Sequence, residues 1–177
     1  MNNPKVKITV KNFGTMVAEL YPDMAPLTVE NFVGLVKKGF YNGLIFHRVI
    51  PGFMIQGGGF DTDYSQKEAD CIRGEFAANG FVQNTLKHTR GVLSMARTMV
   101  PDSASSQFFL MHKDSPHLDA QYAAFGKVVE GEEVIDAIAK VKTTTKMRYY
   151  QDWPVDDVVI ESMEMLQCGD RVHGDAL

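Results

Sequence analysis

The chain has no run of like charges and no apolar stretch long enough to cross a bilayer, and of its 177 residues only two are cysteine and one is tryptophan. Each shortage excludes something. With a formal net charge of −4 and no basic face interleaved with aromatics, it is not expected to bind nucleic acid or an anionic membrane surface. No segment reaches the ~20 apolar residues of a membrane-spanning helix. Cys71 and Cys168 lie far apart and outside any C-x-x-C pair, so they read as free thiols of a reducing compartment. The opening Met1-Asn2-Asn3-Pro4-Lys5 is not a basic segment leading into an apolar one, so no secretory signal is expected and the cytoplasm is the expected location.

The chemical motifs are also few. G-x-S-x-G, H-E-x-x-H and a glycine-rich loop ending in G-K-[ST] are all missing. His47, His88, His112, His117 and His173 do not fall at metal-ligand spacing, and neither cysteine completes a set. No metal or cofactor is expected. Cys71 has Arg73 nearby but no base to activate it, so it reads as an ordinary loop thiol.

What is there is an ordinary globular composition, 45% apolar and 23% charged, sized for one domain over residues 1–166. A polar, flexible tail is expected over 167–177. Val6, Ile8 and Val10 alternate with lysines, Asn12-Phe13-Gly14 supplies a turn, and Met16, Ala18 and Leu20 alternate on the way back, which predicts a hairpin. Pro26–Lys38 predicts a helix, with proline at its first position and Val29, Phe32, Val33 and Val36 on one face. A second helix is predicted over Glu132–Val141. Further strands are expected over 44–55, 91–96, 107–111, 123–129 and 158–165. Gly57-Gly58-Gly59 reads as the start of a long surface loop running to about Arg73, and Trp153 as packing cover. Many short strands with two helices predict a mainly-β domain, a closed barrel with helices outside.

One segment stands apart: Phe46-His47-Arg48-Val49-Ile50-Pro51-Gly52-Phe53-Met54-Ile55-Gln56-Gly57-Gly58. A lone arginine in a strand of large apolar residues ordinarily snorkels to water or meets a structural carboxylate. This one has Phe53, Met54 and Gln56 within eight residues and Ser106-Gln107-Phe108-Phe109 later. His47, of opposite strand parity to Arg48, reads as structural, and Phe108, alternating with Phe109, as core.

Together with Gly91–Arg97 (GVLSMAR), Ser105–His112 (SSQFFLMH) and His117–Val128 (HLDAQYAAFGKV), that run resembles the cyclophilin family of peptidyl-prolyl isomerases, with bacterial members closest in phrasing. The resemblance covers the chain from the first hairpin to the last strand. It implies an eight-stranded antiparallel β-barrel, closed and capped by two α-helices, acting on proline-containing peptides and unfolded chains. Arg48 would be the catalytic residue, aimed at the proline nitrogen in a water-poor pocket. Phe53, Met54, Phe109 and Leu118 would grip the proline ring, and Gln56 and Gln107 would hold substrate or the arginine. The backbone of Ala96 and Arg97 would anchor the substrate chain.

Three departures from the family pattern matter. His117 stands where well-known eukaryotic members carry a pocket-rim tryptophan that donates to cyclosporin, so weak cyclosporin binding is expected. Tyr122 replaces a common pocket histidine. The loop 60–73 departs from the family's glycine-rich form, which leaves the preference for the residue two before proline open. No helix face suggests association, so a monomer is expected. The rival reading is a non-catalytic module or chaperone that only grips proline segments.

Overall fold

The structure, a computed structural model, describes residues 3–166; the tail expected at 167–177 lies outside them. β1 (Lys5–Val10) and β2 (Gly14–Leu20) form the expected hairpin, and the alternation of Val6, Ile8 and Val10 buries one face. The remaining barrel strands are β3 (Leu44–Ile50), β4 (Met54–Asp61), β5 (Val92–Met95), β6 (Phe108–Met111), β7 (Ala124–Glu130) and β10 (Ile160–Leu166). They form one sheet in the order β10-β1-β2-β7-β5-β6-β4-β3, with antiparallel pairing throughout.

The sheet curls into a half-barrel, which corrects the expected closure. Its end strands β3 and β10 share no ladder. They meet through one bridge, Ile45 with Val159, and two flanking bonds, from Gly43 N–H to the Ile160 carbonyl (2.8 Å) and from Phe46 N–H to the Val158 carbonyl (2.9 Å). A separate hairpin, β8 (Thr143–Lys146) with β9 (Tyr150–Pro154), packs against β3 near this seam. It was not expected from the sequence. Trp153 of β9 is buried there with Ile45 and Phe60, so the expected packing role holds and anchors a whole hairpin.

α1 (Pro26–Lys37) starts with proline in its first turn and buries Val29, Phe32, Leu35 and Val36. No side chain of its own caps it. The buried Glu75 does so from 47 residues away, its carboxylate accepting from Thr28 N–H (2.7 Å) and Oγ1 (2.8 Å) and from Leu27 N–H (3.2 Å). α2 (Glu132–Ala139) carries Glu132 and Glu133 in its first turn and buries Val134, Ile135 and Ile138. Arg90 ties it to the sheet by a two-pronged pair with Asp136 (2.7 and 3.0 Å).

The glycine run is the other correction. Gly57, Gly58 and Gly59 are buried inside β4, not in a surface loop. Gly58 has φ +88°, and a Cβ there would meet the rings of Tyr41 and Phe108. At Gly59 a Cβ would overlap the side chain of Gln107. The glycines keep β4 bare where the core rings and the Gln107 side chain must cross it.

Candidate active site

Antiparallel register brings the site residues into one row. Arg48 stands opposite Gln56, Gln56 opposite Phe109, and Phe109 opposite Ser94. Residues directly opposite share a face of the sheet, so four strands present these side chains together. The alternate residues point the other way. Phe108, fully buried, packs edge-on against Phe32, Tyr41 and Phe46 in the main core. On the site face a smaller apolar cluster forms from Met54, Val92, Phe109, Met111, Leu118 and Ala124, with Phe53 and Tyr122 against it.

A cavity of about 130 Å³ opens on this cluster. Its lining takes in Arg48, Phe53, Met54, Gln56, Ala96, Arg97, Phe109, Leu118 and Tyr122. The Tyr122 ring closes one side, edge-on to Phe109 at 5.7 Å. Of the other expected site residues, His117 is exposed and faces the Phe53 ring at 5.7 Å, and Gln107 stands behind Gln56.

Arg48 is exposed, not enclosed in a water-poor pocket, because it lies at the rim of the apolar cluster. Among the described residues no carboxylate pairs with it. Its Nη1 donates to Gln56 Oε1 (3.3 Å), and Gln56 Nε2 donates to Gln107 Oε1 (3.0 Å). Gln107 is fixed from behind: Tyr41 donates to the Ser106 carbonyl (2.7 Å), Asn31 Nδ2 to the Ser105 carbonyl (2.7 Å), and Ser106 Oγ to the Gly58 carbonyl (2.8 Å). A neutral chain of amides thus orients a cation whose charge remains available.

On the opposite wall the Ala96 N–H is used by the Gln107 carbonyl (3.0 Å), and the peptide N–H of Arg97 has no partner among the described residues. The Arg97 guanidinium lies over the rings of Tyr122 (4.6 Å) and Phe76 (4.7 Å) and donates to the Gln121 carbonyl (2.6 Å). That stacking fixes the Ala96–Arg97 edge beside the cavity.

One constellation escaped the sequence. His88 Nε2 meets Ser94 Oγ at 2.8 Å and its Nδ1 meets Asp119 Oδ1 at 3.1 Å, the order of a nucleophilic triad. Residues 88, 94 and 119 carry no local signal of this. Ser94 and His88 are buried, 0% and 1% exposed, so no substrate carbonyl can reach the hydroxyl. Burial lowers the His88 pKa against the opposing pull of Asp119. The imidazole is stacked on Phe109 at 6.1 Å, and the trio braces the cavity floor. His47 is held neutral. Burial and the neighbouring Arg48 lower its pKa to about 4, and it packs between Phe60 and Trp153, in the structural place expected. Cys71 is an exposed free thiol on the loop, away from these groups.

Comparison with known proteins gives one answer. The family model described as cyclophilin type peptidyl-prolyl cis-trans isomerase/CLD matches residues 5–165. The chain is 47% identical to the peptidyl-prolyl cis-trans isomerase of Acinetobacter baylyi over 159 residues, covering 87% of this chain and 81% of that one. It is 44% identical to peptidyl-prolyl cis-trans isomerase B of Escherichia coli over 161 residues, covering 86% and 94%. Among solved structures, a cyclophilin of Cryptosporidium parvum superposes with TM-score 0.76 at 27% identity, covering 93% of this chain and 98% of that one.

Proposed function

The chain belongs to the cyclophilin family of peptidyl-prolyl cis-trans isomerases, and from that premise we propose that it turns Xaa–Pro bonds by electrostatic stabilisation of the twisted imide, with Arg48 as the acting group. The observation that carries this is the Arg48 guanidinium at the rim of a small apolar cavity, with no carboxylate partner among the described residues.

Rotation about a peptide bond breaks amide resonance against a barrier of ~18–20 kcal/mol. In the twisted state the proline nitrogen regains a lone pair, and a fixed guanidinium beside it favours that state over the planar one. Proline seated among Phe53, Met54, Phe109 and Leu118 excludes water from one side of Arg48 and strengthens the interaction. The exposed rim position lets the substrate itself supply this desolvation. Raising an uncatalysed rate of one event per ~10–100 s to ~10–10³ s⁻¹ requires a barrier lowered by roughly 3–7 kcal/mol. The free N–H of Arg97 pairs with the substrate backbone. One relative in the comparison, the Cryptosporidium parvum cyclophilin, was crystallised in the presence of the dipeptide Ala-Pro.

The clients are unfolded or flexible proline-containing chains, and the working form is a cytoplasmic monomer of one domain. The exposed thiol of Cys71 suits a reducing compartment. Cyclosporin binds weakly, since the imidazole of His117 replaces the indole donor at the rim; sub-stoichiometric inhibition by the drug would count against this. The decisive experiment is NMR exchange of a short Xaa-Pro peptide with catalytic amounts of wild type and Arg48→Ala. Acceleration by wild type, with a loss of roughly 10²–10³-fold in the folded variant, is expected. An unchanged exchange rate with wild type would leave only the proline-gripping module.

A further inference from the structure

A second and larger cavity, of about 390 Å³, lies directly beside the first and shares Arg48 and Gln56 with it. A chain seated in the proline cavity therefore cannot cross Arg48 on that side without entering the larger one. The isomerase chemistry leaves the far wall of this cavity unexplained. That wall is the tip of the β8–β9 hairpin, from Tyr149 to Asp152.

The tip is built as a presented surface on a fixed base. The base is anchored by buried Trp153 and by Tyr64, which donates its hydroxyl proton to Asp157 (3.0 Å) and receives Lys146 Nζ (2.6 Å). The turn itself places Met147 and Arg148 in left-handed conformations, φ +51° and +69°. Asp152 is also left-handed, at φ +60°. Strain of this kind persists where the surroundings impose it, and it collects at binding sites. It sets Tyr149, 81% exposed, and Tyr150, 40% exposed, on the cavity's outer wall beside the half-buried Asp152.

The charges of this wall are unbalanced. Of the hairpin's cations, Lys146 is committed to Tyr64 and to the Val155 carbonyl (3.0 Å), and Arg148, in the turn, is not part of the cavity lining and forms no ion pair among the described residues. Asp152 makes no hydrogen bond or ion pair among the described residues, although it lines the same cavity as Arg48. A carboxylate on the same wall as the open ring of Tyr149 and the ring of Tyr150, which packs edge-on against Phe60 and Trp153 at 5.5 Å, is the chemistry that receives an ammonium or guanidinium: an ion pair at one end, cation–π contact along the stem. The neutral glutamines of the inner wall suit the backbone of an extended peptide.

We infer that this cavity is an extended subsite that receives a lysine or arginine side chain carried by the client within a few residues of the Xaa–Pro bond. The inference rests on the isomerase reading for the position of the proline, and it makes the hairpin a specificity element of that same site. An acidic residue at the same place would meet Asp152 and be disfavoured.

The test uses octapeptides with a central Ala-Pro and a single Lys, Ala or Glu, placed in turn two or three residues to either side of the proline. Both kcat/KM by NMR exchange and Kd by titration are measured, with a short Ala-Pro peptide as the internal standard. At one of these positions Lys should exceed Glu by about 5–20-fold in both quantities for wild type. Asp152→Asn, which keeps a residue tolerant of the left-handed conformation, should abolish the preference and leave the standard unchanged. Tyr149→Ala, at an exposed site that does not threaten folding, should reduce it. Equal binding of the Lys and Glu peptides at every position, or a preference that survives Asp152→Asn, overturns the proposal. Failure to turn over the standard would overturn the isomerase reading alone, because the titrations still report on the subsite.

Discussion

Gly59 lines neither cavity, yet adding one methyl group there should impair turnover. A Cβ on Gly59 would lie 2.5 Å from Cγ and 2.6 Å from Cδ of Gln107, too close for any real contact. The collision involves the root of the side chain, so Gln107 must change rotamer and cannot simply bend at its tip. That breaks the 3.0 Å bond from Gln56, which is the support of the group that orients Arg48. One neutral hydrogen bond is worth about 0.5–1.5 kcal/mol net, and the exposed 3.3 Å bond from Arg48 adds less. A combined loss of about 1–2 kcal/mol from the transition state corresponds to a fall in kcat/KM of roughly 5–30-fold.

The assay is NMR exchange of a short Xaa-Pro peptide with Gly59→Ala, with folding checked by urea titration. A double-mutant cycle with Gln107→Ala supplies the stricter test, because removing the glutamine removes both the collision and the relay. The pair Gly59→Ala/Gln107→Ala should match Gln107→Ala alone. Full activity in Gly59→Ala, or losses that simply add, would refute the idea that a bare β4 matters through Gln107.

Four further outcomes are expected. Gln56→Glu should preserve the fold and lower kcat/KM by roughly tenfold on the same peptide, since a carboxylate 3.3 Å from Arg48 would pair with the charge the transition state needs; unchanged activity would count against an electrostatic role. His47, held neutral down to pH about 4 in the fold but titrating at 6.5 when unfolded, contributes no penalty above pH 6.5 and costs up to about 3 kcal/mol as pH falls through that window. Urea midpoints from pH 7 to 4 should therefore fall less steeply for His47→Gln than for wild type. Trp153→Ala should destabilise by about 3–5 kcal/mol in urea, given its burial against Ile45 and Phe60. Asp119→Ala strips His88 of its Nδ1 partner and should cost about 1–3 kcal/mol of stability, with a few-fold loss of turnover through the Phe109 floor; a silent substitution would show that the trio braces nothing.

The elements that could be read from sequence are those whose burial follows a local period. The first hairpin and both helices announce themselves through Val6-Ile8-Val10 and through apolar residues at helical spacing. The glycine run of β4 misled because glycine has no apolar side chain to count: its burial is decided by Tyr41, Phe108 and Gln107 crossing over it from elsewhere. The β8–β9 hairpin was missed for a similar reason. Thr143 to Lys146 are largely exposed on both faces, so no alternation marks them, and only Trp153 and Pro154 at the end of β9 are driven inward. At the site, the residue set came from the family resemblance and from strand parity, which separates Arg48 from His47 and Phe109 from Phe108. What parity could not give is the degree of exposure of Arg48, or the meeting of residues 88, 94 and 119, because both depend on strands paired far apart in sequence.

Three arginines in this fold show how one side chain is assigned different work by its partners. Arg90 is held by Asp136 and Glu132; those bonds raise its pKa and lower that of Asp136, and its charge is spent on docking α2. Arg97 lies flat on two rings and donates to backbone carbonyls, so its planar surface does the fixing and its charge meets only dipoles. Among the described residues Arg48 has a single long bond, to a neutral amide that is itself supported by another neutral amide. A carboxylate in place of Gln56 would hold the guanidinium more firmly, but it would stabilise the planar and twisted substrate states equally poorly by competing for the same charge. Glutamine fixes direction without neutralising, and under the proposed mechanism the apolar cluster beside it would leave the desolvation to an incoming proline. On the proposed mechanism, the choice of amides over acids around Arg48 is therefore the feature that would separate a catalytic arginine from the structural ones in this molecule.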